Sequence, residues 1–232
     1  MSARVGLVVP SSNVTMEIEL PRLLGRRHPS LDLSFHSARM RMTAVTREAL
    51  AAMDAQADRC AAELADAQVD VIAYACLVAV MVQGPGAHRR AERRLLQAAG
   101  GTAVVSSAGA LVANLHDLGA ERVAMITPYA PALTTTVVDY LAAEDIAVVD
   151  AISLGITDNA AVGRLDPQQL VSLAGRLDTS GVQAVIASAC VQMPSLSALD
   201  QIQRLVGLPV VSAASATARS VRDRLGVTEA AA

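Results

Sequence analysis

A six-residue stretch that occurs twice is the strongest constraint on how this chain folds. It reads VIAYAC at residues 71–76 and VIASAC at residues 185–190, so five of the six positions are identical. Each copy is typical of a buried β-strand. The first copy ends at Cys76 and the second at Cys190. Two strands that end in two thiols, one in each half of the chain, indicate a site built from both cysteines.

Two further strand patterns recur in the same order as this stretch. RVGLVVP at residues 4–10 matches RVAMITP at residues 122–128, and AVVS at residues 103–106 matches PVVS at residues 209–212. Three repeated patterns in one order argue for an internal duplication. Helical patterns separate the strands, so we predict an α/β fold with two pseudo-symmetric, doubly wound parallel sheets.

The repeats also suggest domain boundaries. We expect a first α/β domain over residues 1–106, which carries Cys76, and a second over residues 107–212, which carries Cys190. A C-terminal helix, at about residues 213–232, would pack back on the first domain. In doubly wound sheets, ligands bind beyond the carboxyl ends of the strands. Both cysteines lie at such ends, so the active site is expected in the cleft between the domains.

Two segments outside the repeats also have a clear secondary-structure pattern. Residues 31–35 alternate in polarity and are predicted as a strand, and residues 46–67 are predicted as one long alanine-rich helix. No cofactor-binding glycine loop accompanies these elements.

The composition excludes several classes of protein. None of the 19 basic residues is a lysine, which rules out Schiff-base chemistry. The net charge of −3 comes without a basic block, so we expect no nucleic-acid partner. We see no signal-peptide pattern and no apolar run near the roughly 20 residues that span a bilayer. We therefore expect a cytoplasmic protein without membrane contact, whose three cysteines are free thiols.

The cysteines must be weighed against simple packing, because free cysteine is often buried as a small hydrophobic residue. Cys60 lies inside an alanine-rich helical pattern without a matching motif, and we interpret it as packing. Cys76 and Cys190 are both expected at strand-to-helix junctions. A thiol near a helix N-terminus has a lowered pKa and is nucleophilic. We therefore predict a functional role for this pair.

Three neutral side chains are expected on loops at the same edge of the sheets. Each also has an ordinary structural explanation: Asn13 could cap a helix, Tyr129 could be a buried tyrosine with a satisfied hydroxyl, and Asn159 could stabilise a turn. On loops that face the thiols they would form a ring of neutral donors. We expect His88 to be exposed at the start of a helix. No spacing of histidine, cysteine or acidic residues is typical of a metal site, so we expect neither a metal nor a cofactor.

Three stretches resemble the aspartate/glutamate racemase superfamily and, within it, the maleate cis-trans isomerases. They are VVPSSNVT at residues 8–15, YACLVA at residues 74–79 and SACVQMP at residues 188–194. The resemblance spans the whole chain. Racemases usually have Asn-Thr or Thr-Ser after the first cysteine, whereas this chain has Leu77 and Val78. Arylmalonate decarboxylases keep only the second cysteine.

The resemblance implies a cofactor-independent conversion of maleate to fumarate. It assigns nucleophilic attack to Cys76, through a succinyl-cysteine intermediate, and proton transfer to Cys190; the spacing alone leaves the two thiols equivalent. The site would then lower the pKa of Cys76 and keep Cys190 protonated. We expect a small dicarboxylate substrate and a homodimer. The substrate-binding residues implied are Asn13, Leu77, Val78, Tyr129, Asn159, Val191 and Gln192.

Other interpretations stay open at this point. A racemase or decarboxylase of the same superfamily could act on another small carboxylic acid, although Leu77 and Val78 argue against it. A non-catalytic, two-lobed small-molecule-binding protein would tolerate Cys-to-Ser changes at both thiols. A redox dithiol pair lacks a Cys-x-x-Cys motif.

Overall fold

The computed structural model describes residues 2–27 and 32–227, and in this part of the chain it shows two four-stranded parallel sheets. The strand order is β2-β1-β3-β4 in the first sheet and β6-β5-β7-β8 in the second, so the two sheets are built in the same way. This confirms the predicted α/β class. The strands are β1 Ser2–Pro10, β2 Asp32–Met40, β3 Val71–Tyr74, β4 Ala103–Ser106, β5 Arg122–Thr127, β6 Ala147–Ser153, β7 Ala184–Ser188 and β8 Val210–Ser212.

Helices follow the strands, as parallel pairing requires. They are α1 Met16–Arg27, α2 Arg47–Asp54, α3 Ala57–Asp66, α4 Leu77–Met81, α5 Ala87–Ala98, α6 Ser107–Asp117, α7 Pro131–Ala142, α8 Asn159–Val162, α9 Gln168–Ala174, α10 Leu199–Val206 and α11 Ala213–Arg224. The last of these, α11, packs against α1 and α6 and contacts β3 and β4 of the first sheet.

Burial explains why β3 and β7 are the most apolar strands. Every residue of both is buried, since each has strand neighbours on both edges. The outer strands β2 and β6 are less buried, and most of their residues are exposed or only partly buried.

The strand order also fixes where a ligand can bind. From β1 the chain runs outward to β2 and then returns to the other side of β1 as β3, so the loops after β1 and β3 diverge. This divergence is the topological switch point of a doubly wound sheet, where ligands bind. The same relationship holds for β5 and β7 in the second sheet. Four loops therefore surround the expected site, two from each sheet.

The helix predicted over residues 46–67 is instead two helices, α2 and α3, separated at Ala55 and Gln56. The Gln56 side chain accepts a hydrogen bond from the backbone N–H of Arg41 at 3.0 Å, and it donates to the Ala52 carbonyl at 3.1 Å. These tertiary contacts turn the chain, whereas the alanine-rich sequence has the same periodicity on both sides of the turn. The prediction of one helix was wrong for this reason.

Some of the predictions fall on residues outside the described part of the chain. These are residue 31 of the predicted strand and residues 228–232 of the predicted C-terminal helix. Over residues 2–27 and 32–227, no helix is long and apolar enough to cross a membrane. In the same ranges, no group of three or more histidine, cysteine or acidic side chains could hold a metal ion.

Candidate active site

Cys76 lies at the end of β3, where the first sheet meets a short helix. It is the N-cap residue of α4, with an extended backbone at φ −147° and ψ 92°, and it is only 4% exposed. Its sulfur accepts a hydrogen bond from the backbone N–H of Ala79. The predicted strand-to-helix junction is therefore correct for Cys76.

Cys190 lies two residues beyond β7, but a loop rather than a helix follows it. The next helix, α10, begins only at Leu199. The Ser188 hydroxyl contacts the carbonyl oxygens of Cys190 and Met193 at 2.8 and 3.3 Å, and Pro194 has no N–H to continue a helical turn. The predicted strand-to-helix junction was wrong for Cys190. Its sulfur accepts from the backbone N–H of Gln192 at 3.4 Å instead.

The two thiols share one buried site, as the repeated stretch predicts. The Tyr129 hydroxyl donates a hydrogen bond to Cys190. Burial is the main cause of the raised pKa of Tyr129, and the two nearby sulfurs raise this pKa further. Cys76 and Cys190 also interact electrostatically. Loops from the two sheets thus bring Cys76, Tyr129 and Cys190 together.

Burial governs the acidity of both thiols in the ligand-free protein. Loss of solvation raises the pKa of Cys76 to about 12, and the N–H of Ala79 offsets only part of this effect. Burial also raises the pKa of Cys190, against hydrogen bonds from Tyr129 and from the N–H groups of Gln192 and Met193. The expected lowering of the Cys76 pKa is therefore wrong for this state, because desolvation outweighs the effect of a five-residue helix.

The two predicted asparagines lie on loops that meet beside the thiols. Asn13 is fully buried; its Oδ1 accepts from the N–H of Met16 at 3.0 Å, which caps α1, and its Nδ2 contacts the carbonyl oxygen of Val191 at 3.4 Å. Asn159 is the first residue of α8, and its Nδ2 donates to the Ser12 hydroxyl at 2.7 Å. The Asn13 side chain therefore combines a local contact at the start of α1 with a contact to the second half of the chain, whereas the Asn159 side chain joins the two halves.

The remaining predicted residues are three buried apolar side chains and one glutamine that joins loops. Leu77 and Val78 form the first turn of α4 and are 1% and 4% exposed. Val191 is buried as well. The Gln192 side chain donates to the carbonyl oxygens of Ser12 and Asn159, each at 2.9 Å, so it holds loops together rather than pointing to open space.

A buried polar group beside Cys76 was missed by the sequence analysis. Tyr74, which is fully buried, donates a hydrogen bond to the carboxylate of Asp54 at the end of α2. Arg94 binds both oxygens of the same carboxylate at 2.9 and 3.1 Å. One signal was available: Tyr74 is the single position at which the two repeats differ, with Ser188 in its place in the second copy.

His88 is buried, so the prediction that it is exposed was wrong. It is 6% exposed, and its Nδ1 lies 2.6 Å from the hydroxyl of Tyr140. That tyrosine comes from α7, which covers the start of α5. Cys60 is fully buried in α3, as expected for packing. Two surface cavities of about 560 and 500 Å³ are lined by neither Cys76 nor Cys190.

Comparisons with known proteins show the family of the chain. The family model described as arylmalonate decarboxylase matches residues 5–232. The maleate isomerase of Geobacillus stearothermophilus is 50% identical over 231 residues, which cover 97% of this chain and 92% of that protein. The maleate isomerase of Nocardia farcinica is 52% identical over 222 residues, which cover 94% and 88% of the two chains.

Solved structures show the same relationship. Maleate isomerase Iso from Pseudomonas putida S16, in a cysteine-to-alanine mutant with maleate, superposes with a TM-score of 0.96 at 46% identity, covering 98% of this chain and 93% of that one. A cysteine-to-serine mutant of the Nocardia farcinica maleate cis-trans isomerase, with a covalently bound succinylcysteine intermediate, has a TM-score of 0.94 at 50% identity, covering 98% and 94%. The chain therefore belongs to the arylmalonate decarboxylase family and, within it, to the maleate isomerases.

Proposed function

We propose that this protein is a cofactor-independent isomerase that converts maleate to fumarate through a succinyl-cysteine on Cys76. The observation that carries the proposal is the pair of buried thiols, which come from equivalent strand ends of the two sheets and have Tyr129 beside them. The succinylcysteine captured in the Nocardia farcinica relative supports a covalent route.

The reaction follows from what two thiols can do to a carbon–carbon double bond. Cys76 first loses its proton to solvent, because burial keeps the thiol protonated in the ligand-free protein. The thiolate then adds to one alkene carbon, and the π electrons move toward the other carbon and its carboxylate. Cys190 gives its proton to that second carbon, which leaves a single bond that rotates. The Cys190 thiolate then takes a proton back, the double bond re-forms and Cys76 leaves as a thiolate. Fumarate is released, and no oxidant or reductant is consumed.

The surroundings of the two thiols support unequal roles. Cys190 accepts hydrogen bonds from Tyr129 and two backbone N–H groups, which stabilise the thiolate that must take the proton back. Cys76 sits at the N-terminus of α4 against the apolar side chains of Leu77 and Val78. An apolar wall without a second proton donor favours addition at that end of the substrate.

Neutral donors are proposed to bind the two carboxylates. Each asparagine Nδ2 carries two hydrogens, so Asn13 and Asn159 each keep one beyond the bonds described above. The Tyr129 hydroxyl lies beside Cys190. Because the Gln192 side chain joins three loops, we assign its contribution to the backbone, together with the N–H groups of the other flanking residues. These are Leu77, Val78 and Val191.

The domain boundaries, location and assembly are part of the same proposal. We place the domains at residues 1–106 and 107–212, with α11 covering the first sheet, because α11 contacts β3 and β4. A cytoplasmic location is supported by three unpaired cysteines. We propose a homodimer, which sedimentation equilibrium of the purified protein would test.

The decisive experiment adds maleate alone to purified protein and follows the alkene protons by NMR. Conversion to fumarate without any added cofactor is expected. Cys76→Ala should abolish turnover, whereas Cys190→Ser should accumulate an adduct on Cys76 that intact-mass spectrometry detects. Cys60→Ala is the matched control and should retain turnover, since Cys60 is buried in α3 away from the site. Absence of conversion by the wild-type protein would refute the proposal.

A further inference from the structure

A buried carboxylate from the first part of the chain holds the loop that follows Cys190. Glu19, in α1, is only 5% exposed. One of its oxygens accepts from the backbone N–H of Ser195 at 2.6 Å and from that of Leu196 at 2.8 Å. The other accepts from the Ser195 hydroxyl at 3.2 Å. Glu19 lies 176 residues before Ser195, so these are tertiary contacts.

The loop that Glu19 holds has no regular structure of its own. Cys190 is followed by bends and turns until α10 begins at Leu199. Nearer the thiol, the hydroxyl of Thr15 donates to the carbonyl oxygen of Gln192 at 2.7 Å. The segment at the start of α1 therefore binds the Cys190 loop at two places. Thr15 binds it at Gln192, close to the thiol, and Glu19 binds it at Ser195 and Leu196, further along the loop.

A carboxylate suits this role better than an amide of the same size. Burial raises the pKa of Glu19, and the N–H groups of Leu196 and Ser195 oppose this effect by favouring the charged form. The two oxygens receive three donors, and a carboxylate is an acceptor at both positions. In a glutamine, the NH₂ group could donate to the Ser195 hydroxyl, but the neutral amide oxygen would bind the two backbone N–H groups more weakly than a carboxylate does, and the loop would be held less firmly.

We propose that Glu19 is a positioning residue that sets the distance between Cys190 and the substrate carbon it protonates and deprotonates. The inference rests on the role given to Cys190 under the proposed function. This role affects the proton transfers by Cys190 and not the attack by Cys76, because Glu19 binds the loop of Cys190 and not Cys76 or α4. Without Glu19, the carbanion formed by addition at Cys76 can still take its proton from water, so the adduct should form. Removal of a proton from the saturated adduct needs the positioned Cys190 thiolate, so decay of the adduct should slow.

The test is Glu19→Gln, measured by steady-state kinetics and by intact mass under turnover. A misplacement of about 1 Å costs a catalytic step on the order of 100-fold. We expect kcat to fall about 10- to 100-fold while KM changes by less than about threefold, with succinylated Cys76 accumulating. Glu63→Gln is the matched control, because that half-exposed glutamate pairs with Arg59 on the surface of α3. It should behave as wild type.

A second variant covers the case in which Glu19→Gln does not fold. Ser195→Ala removes only the hydroxyl contact at 3.2 Å, so we expect a smaller fall in kcat with the same adduct. Wild-type kcat in a folded Glu19→Gln protein, or a fall in kcat without adduct, would overturn the inference. Cys190→Ser is run alongside: if it fails to accumulate adduct, the assignment of Cys190 is wrong, which is a different failure.

Discussion

The side-chain amide nitrogen of Gln192 lies 2.9 Å from the carbonyl oxygen of Ser12, which is 180 residues earlier in the chain. The amide oxygen of the same side chain accepts from the backbone N–H of Val14 at 3.1 Å. One glutamine thus fixes the loop after β1 of the first sheet against the loop after β7 of the second. Since Asn13 and Cys190 lie on these loops, the relative position of the two sheets at the site depends on this side chain.

The first prediction uses the close approach of Gly163 to that glutamine. A Cβ at Gly163 would lie 2.5 Å from the amide nitrogen of Gln192, so Gly163→Ala must displace the amide from its two acceptors. We expect a loss of about 1–3 kcal/mol in the free energy of unfolding, as for other overpacked sites. The value of kcat/KM should fall even under conditions in which the variant is fully folded. Urea unfolding and steady-state kinetics measure both.

Gly175→Ala is the control for this substitution. Gly175 also has helical backbone angles, and a Cβ there would meet its nearest neighbour at an ordinary 3.5 Å. It should be neutral or stabilise by about 0.4–1 kcal/mol through the unfolded state. Equal effects of the two substitutions would contradict the role given to Gln192.

The second prediction concerns the hydrogen bond from Tyr129 to Cys190. Tyr129→Phe removes the donor, so the pKa of the Cys190 thiol should rise further and its thiolate should become less stable. A hydrogen bond to a charged group contributes about 1.5–3 kcal/mol, and we expect kcat to fall about 10- to 100-fold. Stopped-flow or NMR assays with maleate measure the rate. An unchanged kcat would show that Tyr129 does not assist Cys190.

The third prediction follows from the pKa of Cys76, which burial raises to about 12 in the ligand-free protein. A raised pKa keeps the thiol protonated at neutral pH, and only the thiolate reacts with alkylating reagents. The rate of Cys76 alkylation should therefore rise about tenfold per pH unit between pH 7 and pH 10. Peptide mapping after iodoacetamide treatment separates Cys76 from the other cysteines. A plateau at neutral pH would contradict the prediction.

The fourth prediction tests the polar group beneath Cys76. Tyr74→Phe deletes the hydroxyl that donates to Asp54 and leaves a buried carboxylate oxygen short of one partner. Because Arg94 still binds that carboxylate, we expect a loss of about 1–3 kcal/mol rather than unfolding. Glu63→Gln, which breaks a half-exposed ion pair, should leave the urea midpoint unchanged. A similarly unchanged midpoint for Tyr74→Phe would show that the contact adds no stability.

Particular residues show where the sequence analysis succeeded. Repeated strand patterns and the cysteines at their ends led to the two parallel sheets and to a shared site for Cys76 and Cys190, because strand identity and direction are local properties. Asn13 and Tyr129 lie on the loops after β1 and β5, as the predicted strand ends require, and their contact with a substrate stays a prediction. The resemblance in the three quoted stretches led to the same family as the comparisons did.

Other features depended on contacts that no local pattern encodes. The split between α2 and α3 arises where Gln56 binds the backbone around Arg41. The missing helix after Cys190 arises because the Ser188 hydroxyl contacts carbonyl groups in the loop. The sequence around His88 is typical of a surface residue, but in the folded protein Tyr140 covers its side chain.

The sequence by itself determined the strands, their duplication and the two thiols at matching strand ends, because hydrophobic periodicity and repetition act over a few residues at a time. Only the tertiary structure decided the environment of those thiols. Burial sets their acidity, and Tyr129 distinguishes Cys190 from Cys76. Glu19 and Gln192 join the loop of Cys190 to α1 and to the loop after β1, across more than 170 residues. Long-range hydrogen bonds and the loss of solvation arise only once the two sheets have come together.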